Sequence, residues 1–274
     1  MKNQVIFITG AGSGIGAATA RHLHKLGAKV MLVDLSGAEA ELASELGANA
    51  HSATASVLDR EQLDAAVDAC IQHFGQIDVV FANAGIATDP PTTTRALDPE
   101  AFEHIIEVDL FGVTRTIQAT LPYVVEQRGH ILMTSSTYAF VNGMANTPYA
   151  VAKAGVEMFG RSLRAELSFT GVSVGILYPG WTLTPITHSA LGGHAIAAEL
   201  VRVGFPWILR QPIPPATVAA AAVKGMQRRA PQIFVPRRWG LFSTFRGILN
   251  PLTDRLLCQS TRIQDLLQQL EAVK

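Results

Sequence analysis

A buried strand that runs into a glycine-rich turn and then a helix leaves few folds open, and Gln4 to Gly16 (QVIFITGAGSGIG) spells that order. Val5-Ile6-Phe7-Ile8 is a short apolar run rich in β-branched side chains, which suits a strand covered on both faces, as in a parallel sheet. It stops at Thr9-Gly10. Glycines follow at Gly12, Gly14 and Gly16, and Ile15, Ala18, Leu23 and Leu26 then repeat at helical spacing until Gly27. Such a turn aims helix N–H groups and the positive end of the helix dipole at whatever lies above it. That favours a phosphate, and glycine lets the backbone approach it closely.

Lys29 to Val33 reads as a second buried strand ending at Asp34, 20 residues after Gly14. A carboxylate there can accept hydrogen bonds from a ribose 2′-OH, as in dinucleotide-binding turns. A helix N-cap, which Asp34 or Ser36 could also provide, is the purely structural alternative. The alternation continues. Helices are expected over 37–46, 59–74, from Asp98-Pro99 toward Arg128 with a kink near Pro122, from Thr147-Pro148 to Gly171, and over 216–229. Strands are expected over 48–53, 77–81, 130–134, 172–177 and 232–235. Repeated βαβ units predict an α/β fold: a single doubly wound, Rossmann-type domain over 1–274, with about seven parallel strands and helices on both faces.

With 48% hydrophobic and 16% charged residues, the chain reads as a globular protein with a large core. Zero formal net charge gives no nucleic-acid footprint. Two cysteines cannot build a disulfide framework, and Cys70 falls in an apolar helical pattern. With no signal-peptide pattern and no apolar run of membrane-span length, a reducing, cytoplasmic setting is the expectation.

Tyr149 and Lys153 lie four residues apart just inside a helix, so phenol and ammonium share a face. Moving a tyrosine pKa from about 10 to about 7 takes roughly 4 kcal/mol. A unit charge about 4 Å away, at an effective dielectric near 20, supplies an interaction of that order. By themselves the two are as readily surface residues. Ser136, 13 residues earlier, follows the carboxyl end of the fifth strand, where open parallel sheets bind ligands, and neighbouring Ser135 is its rival.

With these residues together, the chain resembles the classical short-chain dehydrogenase/reductase family. Thr9 to Gly16 matches its TGxxxGxG; Asn83-Ala84-Gly85 matches three residues of NNAG; Ser136, Tyr149 and Lys153 match the catalytic serine and YxxxK; Pro179-Gly180, with Thr182 and Thr184, matches the segment that grips the nicotinamide carboxamide. The resemblance implies a nicotinamide cofactor held by Gly10, Ser13, Gly14, Ile15, Gly16, Asp34, Ser56, Val57, Asn83, Ala84, Gly85, Tyr149, Lys153 and that segment. It implies that Lys153 binds the nicotinamide ribose and lowers the Tyr149 pKa, that Tyr149 exchanges the alcohol proton, and that Ser136 holds the alkoxide. Relatives commonly form homodimers or homotetramers through the helices after the fourth and fifth strands.

Three positions depart from the family pattern. Ala82 replaces the first Asn of NNAG, and Ser56 replaces an Asp near the adenine. Asp109 stands where the fourth catalytic residue is usually an Asn that supports a water in the proton relay. An Asp keeps the size and adds a negative charge that opposes Tyr149 ionisation. Asp34 would repel a 2′-phosphate, Leu35 and Ser36 offer no cation for one, and Ser13 stands where NADP-preferring relatives carry Arg or Lys. NAD is therefore the expected cofactor.

Residues 185–215 are expected to form a mobile substrate cover. Its Ile186, Leu191, Ile196, Leu200, Val203, Phe205, Trp207, Ile208 and Leu209 point to a bulky apolar alcohol or ketone, steroid-, lipid- or terpenoid-like; Arg202 and Arg210 are isolated. His188 and His194 lie in it, and no histidine pair has metal-ligand spacing. The tail, 236–274, holds a short basic amphipathic stretch (Arg237, Arg238, Trp239, Leu241, Phe242, Phe245, Arg246, Ile248, Leu249) and a helix over 256–270. A membrane surface is one occupant for that stretch; packing over the pocket or against another subunit is the plainer one. A catalytically weak NAD(H)-binding regulator is the alternative to an enzyme, and Asp109 is what keeps it open.

Overall fold

Seven short strands, all but the edge strand Ala50–Thr54 rich in apolar residues, need both faces of one sheet covered, and the chain meets that need by alternation. In the computed structural model, which describes residues 1–187 and 194–272, β1 (Val5–Thr9), β2 (Lys29–Asp34), β3 (Ala50–Thr54), β4 (Val79–Ala82), β5 (His130–Thr134), β6 (Ser173–Pro179) and β7 (Gln232–Val235) are all parallel. Their order is β3-β2-β1-β4-β5-β6-β7, the doubly wound Rossmann arrangement.

Helices α1 (Gly14–Lys25), α2 (Ala38–Leu46) and α9 (Pro215–Arg228) go with one face, where Ile6, Ile8, Leu23, Leu32, Leu42 and Val223 form one core. α3 (Arg60–Phe74), α5 (Gly112–Glu126) and α6 (Thr147–Glu166) go with the other, around Phe7, Met31, Val67, Ile117, Met133 and Val156. Cys70 lies in that second core, where burial pushes its thiol up to about 12. Local signals set the ends. Asp59 caps α3 by accepting from the Glu61 and Gln62 amides, and Gly75 closes it at φ 83.

Five expectations change. α6 ends at Glu166, and turns rather than helix lead on to Gly171. The helix from Pro99 does not run on to a kink at Pro122. α4 (Pro99–Ile106) passes into a π-helical turn, Glu107–Phe111, before α5, which carries Pro122 inside it. β6 reaches Pro179 because β7 pairs with its end. The tail is α10 (Trp239–Gln259), running through Pro251, and α11 (Thr261–Ala272), separated at Ser260. The cover contains α7 (Pro185–Thr187) and α8 (Ala195–Gly204). Of its apolar residues, Ile196, Leu200 and Val203 turn toward α11, Phe205 and Leu209 join an aromatic cluster around Trp239, and Trp207 and Ile208 are exposed. His188 and Leu191 lie outside the described residues. No described helix is long and apolar enough to cross a membrane.

Candidate active site

β1 is flanked by β2 and β4, so the connections leaving the carboxyl ends of β1 and β4 diverge and open a crevice. A cleft of about 340 Å³ lies there. Every site residue expected from the sequence lines it except Gly16 and Asp109.

Gly16 acts from behind. A Cβ there would stand 2.0 Å from the Gly10 carbonyl oxygen, so α1 can press onto the turn only without one. Gly10 and Gly14 sit at φ +65 and +51, backbone that side chains rarely adopt. At the start of α1, Ser13 makes no side-chain cap and the first turn holds no acidic residue. The N-terminal amides are thus free of side-chain acceptors, which fits a phosphate. Asn83 fastens the turn to the sheet: its N–H donates to Thr9 Oγ1 (3.1 Å), its Nδ2 donates to the Gly10 carbonyl (3.2 Å), and its Oδ1 accepts from Thr134 (3.0 Å).

Asp34 Oδ2 accepts from the Gly12 amide at 2.9 Å, and Oδ1 accepts from Leu35 and Ser36 at 2.8 and 3.0 Å. Among the described residues, this end of the cleft is lined by Ser13, Leu35, Ser56, Val57 and Leu58, with no Arg or Lys. Ser56 Oγ accepts from the Leu58 amide at 3.2 Å.

At the other end stand Ser136, Tyr149 and Lys153. Geometry separates the two serines. Ser135 is fully buried and donates to the Lys153 carbonyl at 2.7 Å, whereas Ser136 Oγ accepts from the Tyr138 amide (3.2 Å) at the cleft wall. Lys153 Nζ lies 5.3 Å from the Tyr149 ring centre. The π turn widens the helix at Asp109 and carries its carboxylate fully inside. Asp109 Oδ2 lies 2.9 Å from Lys153 Nζ, and Oδ1 accepts from the Ile86 amide at 2.7 Å.

The electrostatics follow. Burial raises the Asp109 carboxyl, against the pull of Lys153 and the Ile86 amide. Burial alone would lower the Lys153 ammonium, but Asp109 and then Tyr149 outweigh it and hold it up. Tyr149 is raised, chiefly by burial; Lys153 and a hydrogen bond with Ser136 pull down, and Asp109 pushes up. Lys153 does pull the phenol down as expected, but burial outweighs it and Asp109 adds to the rise, so the net direction is up.

Sequence reasoning missed several neighbours. Thr187 receives the Thr184 amide at 2.9 Å and donates to the Thr182 carbonyl, tying the cover to the cleft rim. Tyr138 and Trp181 line a second small cavity with Ser136 and Tyr149, and Tyr138 meets Tyr149 edge-on at 6.1 Å. A third cavity of about 550 Å³, lined by Trp181, Leu183, Thr187, Val201 and Arg210, opens beside them; His194 lines none of the three. The aromatic residue two positions after Ser136 was the one visible signal. Among the described residues, no group of three or more His, Cys, Asp or Glu is placed to hold a metal ion.

The family model for short chain dehydrogenases matches residues 4–195. The chain belongs to that family. It is 33% identical over 216 residues to an oxidoreductase of Staphylococcus epidermidis, covering 77% of this chain and 93% of that protein. It is 35% identical over 187 residues to the cis-4-hydroxycyclohexanecarboxylate dehydrogenase of Sinomonas cyclohexanicum, covering 67% and 75%. Among solved structures, it superposes on the 3-ketoacyl-(acyl-carrier-protein) reductase of Brucella melitensis complexed with NADH with a TM-score of 0.77 at 27% identity, covering 85% and 97%. This short-chain dehydrogenase is thus an oxidoreductase by family, and its relatives bear the names of enzymes acting on alcohols and ketones.

Proposed function

We propose that this dehydrogenase interconverts a secondary alcohol and a ketone on a bulky apolar substrate, steroid-, lipid- or terpenoid-like, with NAD as cofactor. The carrying observation is that Ser136, Tyr149 and Lys153 converge on the cleft whose far end is the glycine turn and Asp34. Gly10, Ser13, Gly14 and Ile15 would hold the pyrophosphate, Asp34 the adenosine ribose, Ser56 and Val57 the adenine, and Lys153 the nicotinamide ribose, with Asn83, Ala84, Gly85, Pro179, Gly180, Thr182 and Thr184 along the remainder. Gly16 supports the turn. Bound nicotinamide supplies the hydride acceptor for alcohol oxidation and the donor for ketone reduction.

In oxidation, Tyr149 Oη takes the alcohol proton and Ser136 Oγ donates to the developing alkoxide. Lys153, held by Asp109, keeps a positive charge beside the phenolate. In reduction, Tyr149 returns the proton to the carbonyl oxygen. The third cavity, with its apolar walls and the single Arg210, would seat the body of the substrate. The chain works as one domain, with 185–215 as cover and 236–274 as tail, and assembles as a dimer or tetramer through α5 and α6. The exposed Phe111, Val151 and Met158 on and beside those helices favour that assembly.

The raised Tyr149 pKa and the Asp109 charge favour one second reading, a catalytically weak NAD(H)-binding regulator. Titration with NADH and NADPH, followed by turnover assays of NAD⁺ with alicyclic alcohols and steroids, tests both. Tighter NADH binding with turnover supports the enzyme; NADH binding with no turnover on any alcohol or ketone supports the regulator.

A further inference from the structure

α10 has two unlike faces. The inner one is used: Trp239 is fully buried among Phe140, Trp181 and Phe242, and Arg246 makes a two-pronged ion pair with Glu157 of α6 at 2.8 and 2.9 Å. The outer one is bare. Leu241, Phe245, Ile248, Leu252 and Leu256 follow one another by four, three, four and four residues, which places them in one stripe along the helix, and each is 55–70% exposed. A stripe of five bulky apolar side chains along a helix of about 31 Å is more than scattered surface apolarity explains.

Charge says what covers it. Arg237 and Arg238 stand at the start of α10 and Arg255 near its end, none paired with a carboxylate among the described residues; Asp254 is the one acidic residue on the helix. Beside the start of the helix lies a surface cavity of about 420 Å³ whose charged lining residues, among those described, are Lys224, Arg228 and Arg237. A second copy packed two-fold and antiparallel on this stripe would set the Arg237–Arg238 end of each α10 against the Arg255 end of the other, positive against positive. An anionic lipid surface satisfies both features: acyl chains meet the stripe, and headgroup phosphates meet the flanking cations.

We propose that the outer face of α10 docks on a lipid surface carrying anionic headgroups, with a headgroup phosphate seated among Lys224, Arg228 and Arg237. The helix lies in the interface and does not cross it, so the attachment is reversible and sensitive to salt.

Co-sedimentation of the full chain with vesicles tests this, comparing phosphatidylcholine alone with phosphatidylcholine containing phosphatidylglycerol. The expected result is binding to the anionic vesicles that weakens in high salt and on neutral vesicles. Arg228→Ser and Arg237→Ser should each weaken it by about fivefold, and Ile248→Glu with Leu252→Glu by at least about tenfold. Thermal melting and NADH binding of these variants should match the parent, since none of these residues lies in the cleft. Failure of the parent protein to bind anionic vesicles overturns the proposal. A dimer in analytical ultracentrifugation that Ile248→Glu with Leu252→Glu dissociates, with no vesicle binding, would assign the stripe to a second copy.

Discussion

Lys153 Nζ lies 2.9 Å from Asp109 Oδ2, with both side chains almost wholly out of solvent. Gly85 makes room for the pair: a Cβ there would fall 3.1 Å from Asp109 Oδ2 and 3.2 Å from Lys153 Nζ. The acid grips the lysine directly, at the position where the family pattern has an amide that supports a water. The pull of the Lys153 charge on Tyr149 is thereby opposed by a carboxylate at the same lysine.

Asp109→Asn should consequently shift pH dependence. Tyr149 is raised, so its phenolate, the form proposed to accept the alcohol proton, dominates only at alkaline pH. Removing the Asp109 charge lowers the Tyr149 pKa. The rising limb of kcat for oxidation then moves to lower pH, and reduction begins to fall off at lower pH as well. The pH profile of the variant beside that of the parent is the check; a limb that stays put or moves upward contradicts the pairing.

Removing the carboxylate altogether has a different signature. Asp109→Ala leaves Lys153 buried without its partner and should cost about 3–5 kcal/mol in urea unfolding. Asp109→Asn keeps an oxygen for Lys153 and should cost clearly less. Equal losses in the two variants would argue that the pair is not what holds the lysine.

His130 gives a stability signature outside the cleft. It is 2% exposed on β5, its Nδ1 lies 2.8 Å from Ser173 Oγ, and burial, then Arg229, lowers its pKa to about 4. The unfolded chain takes up this proton near pH 6.5, about 2.5 pH units before the folded one. The stabilisation is therefore complete above pH 6.5 and is lost as pH falls toward 4, by an amount on the order of 3 kcal/mol. Urea unfolding across that window should show the loss in the parent chain and lack this component in His130→Gln. Parallel curves would contradict it.

Much of this was legible in sequence, for reasons visible in particular residues. Val5 to Gly16 carries its fold locally, since an apolar run, a glycine turn and a helical repeat each act over a few residues. The spacing of Ser136, Tyr149 and Lys153 is local in the same sense. What stayed hidden depends on distant partners. Helical periodicity continues on both sides of Glu107–Phe111, so nothing along the chain announces the π turn that carries Asp109 inward. Ser135 and Ser136 are separated only by the Lys153 carbonyl, 18 residues on. The apolar face of α8 reads as a pocket lining until α11, from the far end of the chain, covers it. For the stretch around Trp239 the sequence left packing and a membrane surface both open, and only the distant Phe140 and Trp181 show that Trp239 itself is fully buried.

In the proposed function, cofactor choice rests on Asp34. Its two oxygens already hold the Gly12, Leu35 and Ser36 amides, and among the described residues no Arg or Lys lines that end of the cleft. Asp34→Ser should weaken NADH binding by roughly 10–100-fold, the worth of a hydrogen bond to a charged group, and narrow the gap to NADPH. Fluorescence titration of both cofactors measures it. Unchanged NADH affinity would mean that Asp34 serves only the turn.

Turnover and NADH binding measured side by side for Tyr149→Phe isolate what the phenol contributes. The phenol is the group proposed to move the proton, and phenylalanine removes only its oxygen. The account predicts NADH affinity within a fewfold of the parent and kcat lower by roughly 10²–10⁴ in both directions. A Tyr149→Phe protein that oxidises alcohols as fast as its parent would contradict it.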